Sequence, residues 1–159
     1  MNQAVIHGQL FLAYPDGFHV MDVEELNQAF LDDNPNRWGI WDRERHIIIA
    51  VFWHESPAIL SALAGAKDVA RSTEKRLRKG LKRYGYESRG SFTTTLCGQE
   101  TCGFRYAYRV GDVFQSAETV ILKHGTCCYT IYYYAREEKD LVSYPVYEQV
   151  LRSLRLEPR

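Results

Sequence analysis

The segments Phe104-Arg-Tyr-Ala-Tyr-Arg109, Val113-Phe-Gln-Ser-Ala-Glu-Thr-Val-Ile-Leu122 and Thr126-Cys-Cys-Tyr-Thr-Ile-Tyr-Tyr-Tyr-Ala135 decide the fold. Each is rich in β-branched and aromatic residues, which suit the pleated, half-buried surface of a sheet. The connections Val110-Gly-Asp112 and Lys123-His-Gly125 are tight turns, too short for a crossover. With a fourth run from Glu87 to Leu96 they make an antiparallel meander. A helix then starts at Ser143 or Tyr144 with Pro145 in its first turn, and Val146, Val150, Leu151 and Leu154 form its buried stripe.

Upstream, Leu10 to Ala13 and Phe18 to Met21 flank Tyr14-Pro-Asp-Gly17, which reads as the turn of an N-terminal hairpin or of a strand-turn-strand unit. Asp22 caps a short helix running to about Leu31, with Val23, Leu26, Ala29 and Phe30 on one face. Asp32-Asp-Asn-Pro-Asn36 breaks the chain. Trp38 to Trp41 and His46 to His54 flank the polar tip Asp42-Arg-Glu-Arg45 of a second hairpin. Ile47-Ile-Ile-Ala-Val-Phe-Trp53 is apolar on both alternating faces, the pattern of a central strand covered on both sides. Ser56-Pro57 starts a long helix, with Leu60, Leu63, Ala64, Val69, Ala70, Leu77 and Leu81 on one side. It runs to about Tyr84 and ends at Gly85.

The chain has 159 residues, the size of one domain, so residues 1–159 are read as a single unit. Hydrophobic residues are 45% and aromatics 13%, enough to fill a core and exclude disorder. No apolar run approaches the roughly 20 residues of a membrane span. Met1-Asn-Gln-Ala-Val-Ile-His-Gly8 has neither a basic n-region nor an apolar h-region, so no signal peptide is expected. A cytoplasmic protein with reduced cysteines follows as an expectation.

Net charge is zero but unevenly spread. Asp16 to Asp33 holds six carboxylates and no Lys or Arg, whereas Lys67 to Arg83 holds eight Lys and Arg against Asp68 and Glu74. Overall neutrality argues against nucleic-acid binding. The two stretches suggest docking to another protein, or a homodimer held by opposed patches and weakened by salt.

The layout from Phe11 to Phe18, the long helix after Ser56-Pro57, Cys102-Gly-Phe-Arg-Tyr106 and the ending Tyr132-Tyr-Tyr-Ala-Arg-Glu-Glu138 with Tyr147, Leu151, Ser153 and Leu154 resembles the PsbP-like family. That family is named after an extrinsic photosystem II subunit and includes a Ran-binding nuclear transport factor. The resemblance implies an α+β fold: an antiparallel sheet, here of about six strands, packed with the long middle helix and the C-terminal helix. It also implies a scaffold used mainly for binding, whose members take unrelated partners.

Candidate sites are few. Alternate turns of a meander share one end of the sheet, which groups Cys97, Cys102, His124, Cys127 and Cys128. Their spacings depart from the short ligand pairs of structural zinc sites, and Cys127 and Cys128 point to opposite faces. Small buried side chains explain them better than a metal or a redox pair, although Cys97 and Cys102 facing each other across a hairpin would permit a disulfide. On the long helix, Lys67, Arg71, Lys75, Arg78 and Lys82 form a basic stripe. Tyr132 and Tyr134 share one face of the last strand, Tyr129 and Tyr133 the other; they pack a core or line a groove. Trp38 and Trp41, near a hairpin tip, are interface candidates, and Trp53 belongs to the core.

The five His lack HExxH spacing, and there is no phosphate loop or nucleophile elbow. His54-Glu55-Ser56 point apart on a strand end, and Cys102 with His124 lacks an orienting third group. No catalytic residue and no cofactor are therefore expected. The leading expectation is a non-enzymatic module for a protein or peptide partner, using Trp38, Trp41, Arg71, Lys75, Arg78, Tyr132 and Tyr133. The alternative is a small-molecule or metal-binding protein, an enzyme or not, redox-responsive or not, using the cysteine-rich end or a groove lined by Tyr133, Tyr106 or Tyr108.

Overall fold

The computed structural model describes residues 1–30, 34–55 and 62–157. Ser56-Pro57 and Leu60 of the expected helix start, and Leu31, Asp32 and Asp33, lie outside the described residues.

The strands are β1 Asn2–Ile6, β2 Leu10–Tyr14, β3 His19–Val20, β4 Arg37–Asp42, β5 Ile47–Glu55, β6 Glu87–Leu96, β7 Gln99–Val110, β8 Val113–His124, β9 Cys127–Arg136 and β10 Arg155–Leu156. The helices are α1 Val23–Ala29, α2 Ala62–Gly80 and α3 Asp140–Arg152. Among the described residues seven strands form the main sheet in the order β3-β4-β5-β9-β8-β7-β6, and β1-β2-β10 form a second sheet. Every pairing is antiparallel.

The main sheet is covered on both faces. On one, Ile49, Val51, Val120, Leu122, Ile131 and Tyr133 pack against Leu10, Leu12 and Tyr14 of the small sheet and Tyr147, Val150 and Leu154 of α3. On the other, Ala66, Ala70 and Leu81 cover Phe104, Tyr106, Ala117 and Ile121, while Leu26 and Phe30 cover Phe52 and Tyr132. Burying one such side chain contributes about 1.5–3 kcal/mol, so the two faces together supply the main drive for folding. No helix among the described residues is long and apolar enough to cross a membrane.

The meander stands where the sequence puts it, with shifted ends: β7 begins five residues earlier, at Gln99, β8 runs two residues further, to His124, and β9 is displaced by one, to Cys127–Arg136. At the N-terminus two strands do flank Tyr14-Pro-Asp-Gly17, but they do not pair, so the hairpin alternative is corrected. β2 pairs with β1 through the turn at His7 and Gly8, both at positive φ, and not across Tyr14-Pro-Asp-Gly17. That second turn is where the chain leaves the small sheet: β3 joins β4 of the main one. Arg45 anchors it by donating to the Asp16 carbonyl (3.0 Å). The C-terminal helix also starts earlier than expected. A 3-10 turn, Glu137–Lys139, runs straight into α3, so Pro145 lies inside the helix. α2 is α-helical to Gly80, a 3-10 turn covers Lys82–Tyr84, and Gly85 closes it at φ 70°. Trp53 is partly buried against the core.

α1 carries a full capping box: Asp22 Oδ1 accepts from the Glu25 N–H (2.8 Å) and the Asp22 N–H donates to Glu25 Oε1 (3.0 Å). The other Glu25 oxygen meets His19 Nε2 (2.8 Å) and Arg43 Nη2 (3.0 Å). The Asp22 N–H above all, then His19 and Arg43, hold the Glu25 carboxyl down at about 2, against an ordinary 4.5. A depressed carboxylate adds stability that is fully present above its unfolded value and lost as pH falls through its folded one. Between pH 4.5 and 2 the wild type therefore loses this contribution. Glu25→Gln should flatten the stability curve over that window in urea unfolding followed by circular dichroism. Parallel curves for the two proteins would refute the linkage.

Gly103 marks a close approach of β7 to β8. A Cβ there would overlap the Thr119 carbonyl oxygen and sit 2.8 Å from the Phe92 ring. Gly103→Ala should cost about 1–3 kcal/mol, read from the urea midpoint. An unchanged midpoint would show that the strands can part there freely.

Candidate functional site

Along β9 successive side chains alternate between faces, so Tyr129 and Tyr133 enter the core beneath α3 and the small sheet, and Tyr132 and Tyr134 face α1 and α2. On that helical side lies a cavity of about 330 Å³. Its floor is aromatic: Phe52 of β5, Tyr132 and Tyr134 of β9, and Tyr108 of β7. Ala29 and Phe30, at the end of α1, form one wall. Thr73, Arg76, Leu77 and Gly80 of α2 form the other.

The rings hold one another in place. Phe30 stands edge-on to Phe52 at 4.9 Å, Phe52 to Tyr132 at 5.2 Å, and Tyr134 lies parallel to Tyr132 at 6.2 Å. The Tyr106 hydroxyl, beneath the floor, is 3.1 Å from that of Tyr134. Phenols are neutral at physiological pH, and desolvation pushes those of Tyr106, Tyr108 and Tyr134 further up from their ordinary range. Thr73 is buried, and its hydroxyl has no hydrogen-bond partner among the described residues. Arg76 is exposed and brings a cation to the rim. The arrangement suits an apolar or aromatic group that carries an acceptor or a negative charge at its outer end.

Of the residues singled out in the sequence, Tyr132 lies in this floor. Tyr133 lies on the opposite face, stacked on Tyr147 at 4.6 Å and donating its hydroxyl proton to Asp140 (2.7 Å). Arg71, Lys75 and Arg78 are exposed on α2. Arg71 is 3.7 Å from Asp68 and Arg78 is 3.8 Å from Glu74, spacings that contribute little at a surface. Arg71 and Lys67 border a separate groove toward β6 and β7, so stripe and cavity lie on opposite flanks of α2. Trp38 packs toward the small sheet, 6.0 Å from Tyr14. Trp41 packs toward α1, with His19 at 5.8 Å and the Arg43 guanidinium 4.5 Å above its ring. The sequence marks Phe30, Phe52 and Leu77 only as apolar-face residues, and Thr73 and Arg76 not at all, so none of the five is legible there as part of a site. The one available signal was that Thr73, Arg76, Leu77 and Gly80 recur at three- and four-residue steps beside the basic stripe.

The cysteine-rich end is divided by the sheet. Cys102 and Cys128 face α2, and burial pushes the Cys128 thiol up to about 11. Cys127 faces the small sheet, and Cys97 is exposed in its turn. The register pairs Cys102 with Thr93 and Leu96 with Gln99, so Cys97 and Cys102 do not face each other, which corrects the disulfide expectation. His124 pairs with Cys127 across β8 and β9. Cys97, Cys102, His124 and Cys127 therefore do not converge on one point.

No protein-family model matches this chain, and no curated protein matches it in sequence. Solved structures do match. PsbP from the cyanobacterium Synechocystis superposes with a TM-score of 0.74 at 15% identity, covering 98% of this chain and 92% of that one. The chain has the PsbP fold. LpqN of Mycobacterium tuberculosis, involved in cell envelope biogenesis, shares it with a TM-score of 0.61 at 14% identity, over 99% of this chain and 91% of its own. The Ran-binding protein Mog1p of Saccharomyces cerevisiae shares it with a TM-score of 0.59 at 12% identity, over 98% and 96%. At such identities the PsbP likeness is one of fold.

An unpartnered buried hydroxyl costs about 1–3 kcal/mol, and a methyl of the same shape relieves that cost. Thr73→Val should leave stability unchanged or raised in urea unfolding. A clear loss would show that the hydroxyl is bonded in solution.

Proposed function

We propose that this PsbP-fold chain is a non-enzymatic binding module for a protein or peptide partner. The cavity between α1 and α2 takes one large apolar or aromatic side chain of that partner. Arg76, at the rim, meets an acidic group beside it. The composition of the cavity carries the reading. Its lining is apolar side chains and neutral phenols, with a cation at the rim and, among the described residues, no group that titrates near neutral pH. The same scaffold belongs to a protein named for binding Ran, which favours a protein partner. Zero net charge favours it over nucleic acid. The cytoplasm is the compartment we assign, reading the four cysteines as thiols.

Selecting displayed peptides against the wild type tests this. The selected peptides should share an apolar anchor flanked by acidic residues, bind more weakly at high salt, and lose at least about tenfold in affinity for Leu77→Glu, roughly 1.4 kcal/mol. Equal binding to a folded Leu77→Glu protein would overturn the assignment. The volume also falls in the range of small-molecule sites, which begins near 300 Å³. Native mass spectrometry separates the two readings: a retained organic mass that leaves with Leu77→Glu would mean a small ligand.

A further inference from the structure

On the face away from the cavity, at the seam between the two sheets, three metal-ligating side chains meet. They are His7 in the β1–β2 turn, Glu55 at the end of β5 and Cys127 at the start of β9, and their ligand atoms lie within 4.8 Å of one another. The sheet accounts for two of them. Glu55 and Cys127 are register partners on adjacent strands, so their side chains project from the same face. His7 comes from the small sheet lying over that face. Its φ of 53° is left-handed, a region where His is enriched among non-glycine residues, and Gly8 follows at 64°. The Trp53 ring lies 5.5 Å from the imidazole.

We propose that His7, Glu55 and Cys127 form a binding site for a zinc-type divalent cation, with a fourth position open to water. One thiolate, one imidazole and one carboxylate are the ligand types zinc uses, whereas calcium and magnesium require oxygen alone. Bond lengths of about 2.0–2.3 Å around a tetrahedral centre put neighbouring ligand atoms roughly 3.5 Å apart. His7 Nε2 and Glu55 Oε1 are already 3.8 Å apart, so small side-chain rotations close the site. Cys127 is fully buried, while the His7 and Glu55 side chains are 38% and 63% exposed. The sulfur is therefore the base of the site and the other two its mouth. On binding, the thiol proton leaves to solvent and the sulfur bonds the metal as thiolate.

Two further observations support the site. Thr126 Oγ1 donates to Glu55 Oε2 (2.6 Å), which fixes the carboxylate with Oε1 toward His7, the outer contact that metal ligands ordinarily have. His124 stands across from Cys127 in register, and its buried Nε2 has no hydrogen-bond partner among the described residues. A metal-bound water in this corner would give that nitrogen one. The site would clamp the small sheet to the end of the main one, so metal should stabilise the fold by mass action.

The test uses the full chain, stripped with chelator and titrated with cobalt(II) under reducing conditions. One equivalent should give a thiolate-to-cobalt charge-transfer band that zinc displaces, and zinc should raise the melting temperature. His7→Asn and Glu55→Gln, both at exposed positions, should weaken binding by more than the about tenfold expected of Thr126→Ala, which removes only the outer contact. Cys127→Ser should abolish the band, and Cys97→Ser should leave it unchanged. No band, a band lost with Cys97→Ser, or a band of full strength in folded His7→Asn would overturn the assignment. If Cys127→Ser does not fold, the His7 and Glu55 variants decide alone.

Discussion

Strand β9 is hydrogen-bonded along both edges and buried on both faces, and the placement of every other layer depends on it. β5 and β8 pair with it over nearly its whole length. Because an extended chain sends successive side chains to opposite faces, one short run of sequence serves two cores. Tyr129, Ile131 and Tyr133 fill the side under α3 and the small sheet, and Cys128, Tyr132 and Tyr134 fill the side under α1 and α2. A slip of one residue would exchange these sets, so both cores together fix the register. The tyrosines also need partners for their hydroxyls. Tyr129 reaches Gln9 (2.8 Å), Tyr133 reaches Asp140 (2.7 Å) and Tyr134 meets Tyr106 (3.1 Å). Each contact tethers a different part of the chain to the central strand.

The two faces thus acquire different chemistry. The helical face is aromatic, and its phenols are uncharged at neutral pH. The cavity there offers shape, ring faces and hydroxyls, with charge only at its rim. The opposite face is closed by a sheet and a helix, and its polar corner is where the strand ends of the main sheet meet the β1–β2 turn. Backbone edges and turns converge there, which is where side chains from distant elements come together. On this reading a partner at α2 and a cation at the β1–β2 turn would act from opposite sides of one strand.

Much of the fold was legible locally. The meander was readable because Val110-Gly-Asp112 and Lys123-His-Gly125 are too short for anything but hairpins. Asp22 announced α1 because a carboxylate at a helix start accepts from the free N–H groups of the first turn. Where reading failed, local signals competed. Tyr14-Pro-Asp-Gly17 has better turn chemistry than His7-Gly8, yet the chain uses it to pass between sheets, a choice made by burial of Leu10, Leu12 and Tyr14 against the main sheet. Pro145 looked like a helix start, but the 3-10 turn before α3 supplied an earlier one. Tyr132 was named for a groove, but its companions Phe30, Phe52 and Thr73 carry no motif.

The sequence by itself determined the element types, the meander, the two-faced character of β9 and the resemblance to the PsbP-like fold. Periodicity and turn residues are properties of neighbours along the chain. The tertiary structure alone decided which faces meet. It set the cavity between α1 and α2, parted Cys102 from Cys127, and brought His7 to Glu55 and Cys127. Those encounters join residues far apart in sequence, and they follow from how layers pack to bury apolar area, a quantity summed over the whole molecule that no local pattern records.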